Sequence, residues 1–492
     1  MKKFSQALVW LTISEIIFNL AGYIIHSSVG RILGPADYGR FSVIVTLTTM
    51  VIVLIGNGIP TAMSKYLSEI FQNAPERILG IKHKAMALQS VLILCVTPLF
   101  FFSSSLIARA LSDPSLTPLF QISSLIIPSF AAASFYFYYF TGLHFFKLQA
   151  VLKTVRALGR IIFIISFAYF FGVKGAISGY IAAPLFVFAI AFILDILITH
   201  RYFPAVKKPL SSPIQFSGKT LLTYAWPLTL FLLFYEFILT LDLYFVKGLL
   251  QSDYLTGIYN AAITVGRIPY YLFYALTIIL LPAISHTTTN QDTAQTENLV
   301  NKSLRLMTLL LFPIITLLIV YASQTLRLFY GVKYLDAAVP MSVFTIGVGF
   351  LTVFYVLSFA LNGAGLVKIP MKLTFFGLLA IIALNFILIP QFKLIGAALS
   401  ATVVACLLMI SILVYVEFHF NVRLRFKTIA LSLISAILIA SLARFLPHGN
   451  FNFIISATAL FFLYFILLKI FGELKTDDVA PFVKLLPKRD RR

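Results

Sequence analysis

Apolar runs of about 20 residues recur along the whole 492-residue chain, separated by short polar or Gly/Pro punctuation. A run of that length matches a helix crossing the hydrocarbon of a bilayer, whose ~30 Å takes about 20 residues at 1.5 Å each. Within lipid every backbone polar group must find its partner inside the spanning element, so only helices and closed barrels are available. A barrel would use segments of about 10 alternating residues, and the runs here are longer and unbroken. Composition points the same way: 60% of residues are apolar and 11% charged, against about 25% charged in a soluble domain. No water-soluble fold hides that much apolar surface, which excludes soluble enzymes and disordered regulators.

Fourteen spans can be read between the polar punctuation. They start near Leu8, Phe41, Ala85, Thr117, Ile161, Gly175, Leu221, Gly257, Ser303, Ala337, Met371, Leu394, Thr428 and Asn450. The expected fold is therefore an all-α membrane protein of about 14 transmembrane helices. The first run carries Glu15 and Asn19 and has no small-residue cleavage site, so it reads as a retained helix and not a signal peptide.

The net charge of +21 would suggest a nucleic-acid partner in a soluble protein. Here it has another reading, because cytoplasmic loops collect Lys and Arg. With the amino terminus inside, 28 of the 38 basic residues fall on inner loops and termini, including 65–84, 147–160, 201–219 and 469–492. The bias places both termini in the cytoplasm and implies no nucleic acid. Cys95 and Cys406 lie within apolar runs and imply neither a disulfide nor a metal.

An internal repeat is also visible. Glu15 and Glu236, Gly142 and Gly363, Lys147 and Lys368, Gly175 and Gly396, and Ala176 and Ala397 are each separated by 221 positions. That spacing covers six spans, and an even number returns the chain to the same side, so the halves share one orientation. The expected organisation is two parallel six-helix lobes around a central cavity, 1–200 and 221–420, joined by a cytoplasmic linker at 201–220. Two C-terminal helices at 421–470 and a solvated cytoplasmic tail at 471–492 follow.

Particular strings add to this reading. GRILGPADYGRF at 30–41, GIPTAMSK at 58–65, GIYNAA at 257–262 and PAIS at 282–285 occur in order, followed by LIP at 388–390 and IGAA at 395–398. In this order and spacing the chain resembles the oligosaccharide and polysaccharide flippases of the multidrug/oligosaccharidyl-lipid/polysaccharide exporter superfamily, similar to lipid II flippases and stage V sporulation protein B-like proteins. The resemblance implies an alternating-access flippase carrying a lipid-diphosphate-linked sugar between leaflets. Physically, Gly34, Pro35 and Gly39 favour a tight turn that makes spans 1 and 2 neighbours.

Ionisable groups inside spans are costly and point to function. Arg267, about ten residues into span 8, is the sharpest candidate for holding a diphosphate through charge-assisted bonds, or else it pairs with Asp242 or Glu236. Glu15 and Glu236 are candidates for proton coupling or for ion pairing. Arg31 and Arg40 are expected at the outer mouth, as substrate-release contacts or helix-end anchors. Lys65, with Lys147 and Lys368, is expected at the inner one, where they attract the anionic headgroup or follow positive-inside bias alone. Lipid II flippases carry several cavity arginines, whereas here only Arg267 reads as deep. No nucleotide-binding loop and no metal-ligand spacing is present, so neither cofactor nor metal is expected. Partners are the lipid-linked oligosaccharide, membrane lipids, and the glycosyltransferases or polymerase of the pathway. The alternatives are a drug or cation antiporter, disfavoured by spans 13–14, and a membrane polymerase or ligase, disfavoured by short outer loops.

Overall fold

A computed structural model describes residues 2–56, 58–70, 77–202, 218–422, 425–446, 449 and 452–474. The described residues form fifteen α-helices joined by short turns, with no strand among them. The linker expected at 201–220 and the tail at 471–492 lie largely outside the described residues.

The chain divides into two compact units. Unit 1 comprises residues 1–264 and 374–397. It contains α1 (Lys2–Gly56), α2 (Gly58–Ile70), α3 (Ile78–Ala110), α4 (Thr117–Ser123), α5 (Ile126–Gly142), α6 (Phe146–Tyr202), α7 (Gly218–Leu250) and nearly all of α8 (Asp253–Gly266). Unit 2 comprises residues 265–373 and 398–492. It contains α9 (Ile268–Thr289), α10 (Thr293–Val320), α11 (Ala322–Phe329), α12 (Ala338–Gly363), α14 (Phe426–Ala443) and α15 (Asn452–Ile470). The long α13 (Lys368–Phe420) contributes its middle to unit 1 and both its ends to unit 2.

Three helices are too long to be single spans. α1 has 55 residues, α6 has 57 and α13 has 53, and a straight helix of 55 would reach about 80 Å, well beyond the hydrocarbon. Each breaks at one residue with positive φ: Gly34 (φ 73), Gly172 (φ 60) and Lys393 (φ 51). Among the described residues, nine segments are long and apolar enough to cross a membrane. Separating the arms of the three hinged ones, and adding α7 and the joined α8–α9, accounts for the fourteen spans expected.

The repeat is written into the backbone. His144 (φ 60) and Gly365 (φ 81) end α5 and α12 at positions 221 apart. The same turn surrounds both: Phe145 N donates to Phe140 O at 2.9 Å, and Leu366 N donates to Leu361 O at 2.9 Å. The hinges at Gly172 and Lys393 keep that offset, and so do the glycines behind them. A Cβ on Gly175 would stand 1.9 Å from Phe167 O, and one on Gly396 would stand 2.1 Å from Leu388 O. The first pair of turns slips, because the positive-φ residues Gly34 and Gln251 are 217 apart.

In unit 1 a buried cluster around Leu67, Phe135, Phe140, Leu152 and Val187 ties α2, α5 and both arms of α6 together. In unit 2 Leu309, Tyr321, Ile439, Leu460 and Tyr464 join α10, α14 and α15. Other faces carry large exposed apolar side chains, among them Leu94, Phe102 and Leu106 of α3, Phe170 and Phe171 of α6, and Ile455 and Phe462 of α15. Apolar surface on that scale is not tolerated in water and suits hydrocarbon.

Candidate functional site

Lys153, Arg156 and Arg160 sit three and four residues apart, so α6 presents them on one face. The expectation of a basic loop over 147–160 is corrected here: these residues form the opening turns of α6, which starts at Phe146. Arg156 lies about 15 Å along the helix from that start. α1 supplies the opposing side chains, Glu15 and Phe18. Lys153 Nζ donates to Glu15 Oε1 in a close ion pair. The Arg156 guanidinium lies 4.9 Å from the Phe18 ring centre, 4.7 Å from Phe130 and 4.6 Å from Phe137. Arg160 covers Phe18 at 4.7 Å and donates to Tyr180 Oη at 3.3 Å. Each contact between cation and ring contributes about 0.5–2 kcal/mol, and this helps offset the cost of holding charge among apolar helices.

Between these helices lies a pocket of about 340 Å³, lined by Glu15, Lys153 and Arg156 together with Thr49, Ser134 and Gln149. Glu15 is the single carboxylate among its described lining residues, so the pocket carries surplus positive charge. Sequence reasoning missed Lys153 and Arg156 because positive-inside bias assigned them to a loop. Their three- and four-residue spacing was the signal that could have found them.

The remaining sequence-derived residues lie outside this pocket. Arg31, three residues before the Gly34 hinge, and Lys65 of α2 are exposed. Asp242 of α7 is fully buried at 0% exposure and accepts from Tyr259 Oη at 2.6 Å, which fastens α7 to α8. Glu236 is half-buried in α7. Arg267 is half-buried at the joint where α8 ends and α9 begins. The helix breaks there because Pro269, in the first turn of α9, has no N–H to continue the ladder.

Arg40 belongs to a charged cluster near the Gly34 turn. Its Nε is 3.1 Å from Asp253 Oδ2, and its Nη2 donates to Ser115 Oγ at 2.5 Å. Lys247, with a side chain 3% exposed, donates to Asp113 Oδ2 at 2.7 Å and also to Asp253 Oδ1. Burial pushes the Asp113 carboxyl up, but bonds from Lys247 and Ser115 outweigh it and hold the group below its ordinary 3.8. The cluster joins the α3–α4 turn, the end of α7 and the start of α8 to the second arm of α1. Beside it, a Cβ on Gly39 would fall 2.2 Å from Asp253 O, and one on Gly257 would fall 1.8 Å from Pro35 O.

Lys82 of α3 and Asp195 of α6 form another buried ion pair, with the Lys82 ammonium 4.7 Å from the Tyr139 ring centre. Unit 2 holds a cleft of about 510 Å³ between α10, α12, α13 and α14, mostly apolar, with Arg305 and Thr428 at one end. Arg305 donates to Glu473 Oε1 at 2.6 Å, as does Thr428 Oγ1 at 2.6 Å. Burial raises the Glu473 carboxyl, and these two donors more than reverse it, holding the group below its usual range.

Comparison with known proteins places this geometry. Residues 5–288 match a family model described as polysaccharide biosynthesis protein. Stage V sporulation protein B of Bacillus subtilis is 23% identical over 97% of each chain. Among solved structures, the lipid II flippase MurJ in an inward closed conformation superposes with a TM-score of 0.77 at 16% identity, covering 96% of this chain and 100% of that one. An inward-facing multidrug resistance MATE family transporter gives 0.66 at 13% identity, covering 84% and 98%.

Proposed function

The chain belongs to the polysaccharide biosynthesis protein family, and on that premise we propose that it flips a lipid-diphosphate-linked oligosaccharide across the cytoplasmic membrane by alternating access. The product serves cell-surface polysaccharide synthesis, and the protein acts as a transporter and not as an enzyme. The observation that supports this reading is the net-cationic pocket lined by Glu15, Lys153 and Arg156 among the apolar helices of unit 1. A diphosphate and its sugars lose hydration on entering hydrocarbon at a cost of several kcal/mol per polar group. A pocket that supplies charge-assisted donors and hydroxyls replaces that hydration. Its surplus positive charge repels cations, which disfavours a drug or cation antiporter.

In this reading two six-helix lobes, 1–200 and 221–420, alternate around a central cavity, with both termini in the cytoplasm. Arg267 is a further candidate for charge-assisted bonds to the diphosphate. Arg31 and Lys65, exposed near helix ends, attract the anionic headgroup as it enters and leaves. The apolar cleft of unit 2 suits a hydrocarbon chain. Glu15 and Glu236 are the groups that would couple transport to a proton gradient. Glycosyltransferases that build the sugar, and the polymerase that consumes it, are the functional partners.

Depletion of the protein in cells tests the proposal. Lipid-linked precursor should accumulate on the inner leaflet, inaccessible to an externally added sugar-cleaving enzyme. Normal accessibility during depletion would refute it.

A further inference from the structure

We propose that the pocket of unit 1 is an oxyanion site, selective for phosphate and diphosphate groups, in which Glu15 is a resident stand-in that the ligand displaces from Lys153. The inference deepens the transport reading and rests on it for the source of the ligand, but the binding site itself can be measured without transport.

Four observations carry it. Arg156 is only 4% exposed, yet its Nε and Nη1 have no hydrogen-bond partner. A guanidinium has five N–H donors in a fixed plane and no acceptor. The rings of Phe18, Phe130 and Phe137 engage the guanidinium by cation–π attraction, which supplies no acceptor for the Nε and Nη1 donors. Buried donors are almost always satisfied in folded proteins, and the group that would satisfy a cationic fork is a planar or tetrahedral oxyanion, bound two-pronged.

Two of the pocket's hydroxyls do not compete for that role. Thr49 gives its proton to Val45 O at 2.7 Å and Thr141 gives its proton to Phe137 O at 2.8 Å. Gln149 Oε1, also on the pocket wall, has no donor. The free donors therefore gather at Lys153 and Arg156, while the acceptor oxygens of Thr49, Thr141 and Gln149 suit the hydroxyls of an attached group.

Glu15 marks where an anionic oxygen sits. Its carboxylate oxygen occupies the contact with Lys153 that a phosphate oxygen would take, without meeting the Arg156 donors. The Glu15 side chain is 30% exposed against 13% for Lys153, so the carboxylate lies on the more open side and can leave while the cation stays. The exchange favours a phosphate, because a group of two or more negative charges balances Lys153, Arg156 and neighbouring Arg160 better than one carboxylate does. At about 340 Å³ the cavity is at the lower end of ligand pockets, roughly 300–1,000 Å³. It is sized for a charged headgroup and not for a whole lipid-linked saccharide.

The test is calorimetric titration of the purified full-length protein in detergent with inorganic pyrophosphate, inorganic phosphate and acetate, alongside melting temperatures. Wild-type protein should bind pyrophosphate more tightly than phosphate, and acetate not at all. Glu15→Gln removes the internal competitor, so pyrophosphate affinity should rise about tenfold, an effect that a merely structural Glu15 would not produce. Arg156→Lys, which keeps the charge and loses the fork, should weaken pyrophosphate at least tenfold without lowering the melting temperature. Unchanged or weaker binding in Glu15→Gln would overturn the site, as would equal affinity for acetate. The two readings fail separately. Pyrophosphate binding with this mutant pattern but no transport of lipid-linked sugar would leave the site and remove the cargo assignment. Transport with no such binding would remove the site alone.

Discussion

Lys393 holds φ 51 and ψ −126, the conformation of the first central residue of a type II′ turn, which glycine favours. Its counterpart 221 positions earlier is Gly172, at φ 60 and ψ −141. The same hinge is thus built once with glycine and once with lysine. Left-handed backbone at a side-chain-bearing residue costs about 1–3 kcal/mol, partly offset by the extra entropy glycine loses on folding, about 0.5–1 kcal/mol. Lys393→Gly should therefore raise stability by about 1 kcal/mol, read as a higher melting temperature, and Gly172→Lys should lower it. A destabilised Lys393→Gly protein would show that the lysine side chain contributes more than its backbone costs. The residues around these hinges were legible in the sequence through Gly175-Ala176 and Gly396-Ala397. The hinge pair itself was not, because glycine and lysine share no side-chain chemistry, only a backbone geometry.

At the scale of elements, the second arm of α1 meets α8 backbone to backbone, and the charged cluster of Arg40, Asp113, Lys247 and Asp253 fastens the same end. Gly39→Ala should force the helices apart, since its Cβ would fall 2.2 Å from Asp253 O; overpacking of this kind costs about 1–3 kcal/mol. Gly34→Ala would meet no neighbour and would fail only through its φ of 73. Differential scanning of the two variants, with Gly39→Ala the less stable, would separate crowding from backbone strain.

The same cluster makes a prediction about pH. Asp113 has its folded pKa depressed, so its contribution is present above its ordinary 3.8 and is lost as pH falls below that value. The melting temperature should hold through neutral and mildly acidic pH and then fall in strong acid. Lys247→Met should lower it at neutral pH and flatten the acid limb, because the pairing that depresses Asp113 is gone. An acid limb unchanged in Lys247→Met would assign it to other carboxylates. From sequence, Gly34, Pro35 and Gly39 announce the turn, and Arg40 is expected at the outer mouth. Its pairing with Asp253 spans 213 positions and leaves no local trace.

For the whole molecule, the runs of apolar residues were enough to give an all-helical membrane fold, because lipid leaves the backbone so few options. The resemblance of strings such as GRILGPADYGRF gave the family, now matched over residues 5–288. The pocket was less legible. Lys153 and Arg156 were hidden by a rule that counts basic residues without asking which of them a helix turns inward, whereas Glu15 was found because a lone carboxylate in an apolar run is costly wherever it points. The proposed activity is movement of a lipid-diphosphate-linked oligosaccharide between leaflets. The most direct measurement is transbilayer movement of a fluorescent lipid-diphosphate-linked oligosaccharide in proteoliposomes of the purified chain, with the same sugar on a neutral diacylglycerol anchor for comparison. Protection of the diphosphate-linked molecule should be lost rapidly and that of the neutral one kept; equal rates for both, or no movement of either above protein-free vesicles, would refute the proposed transport.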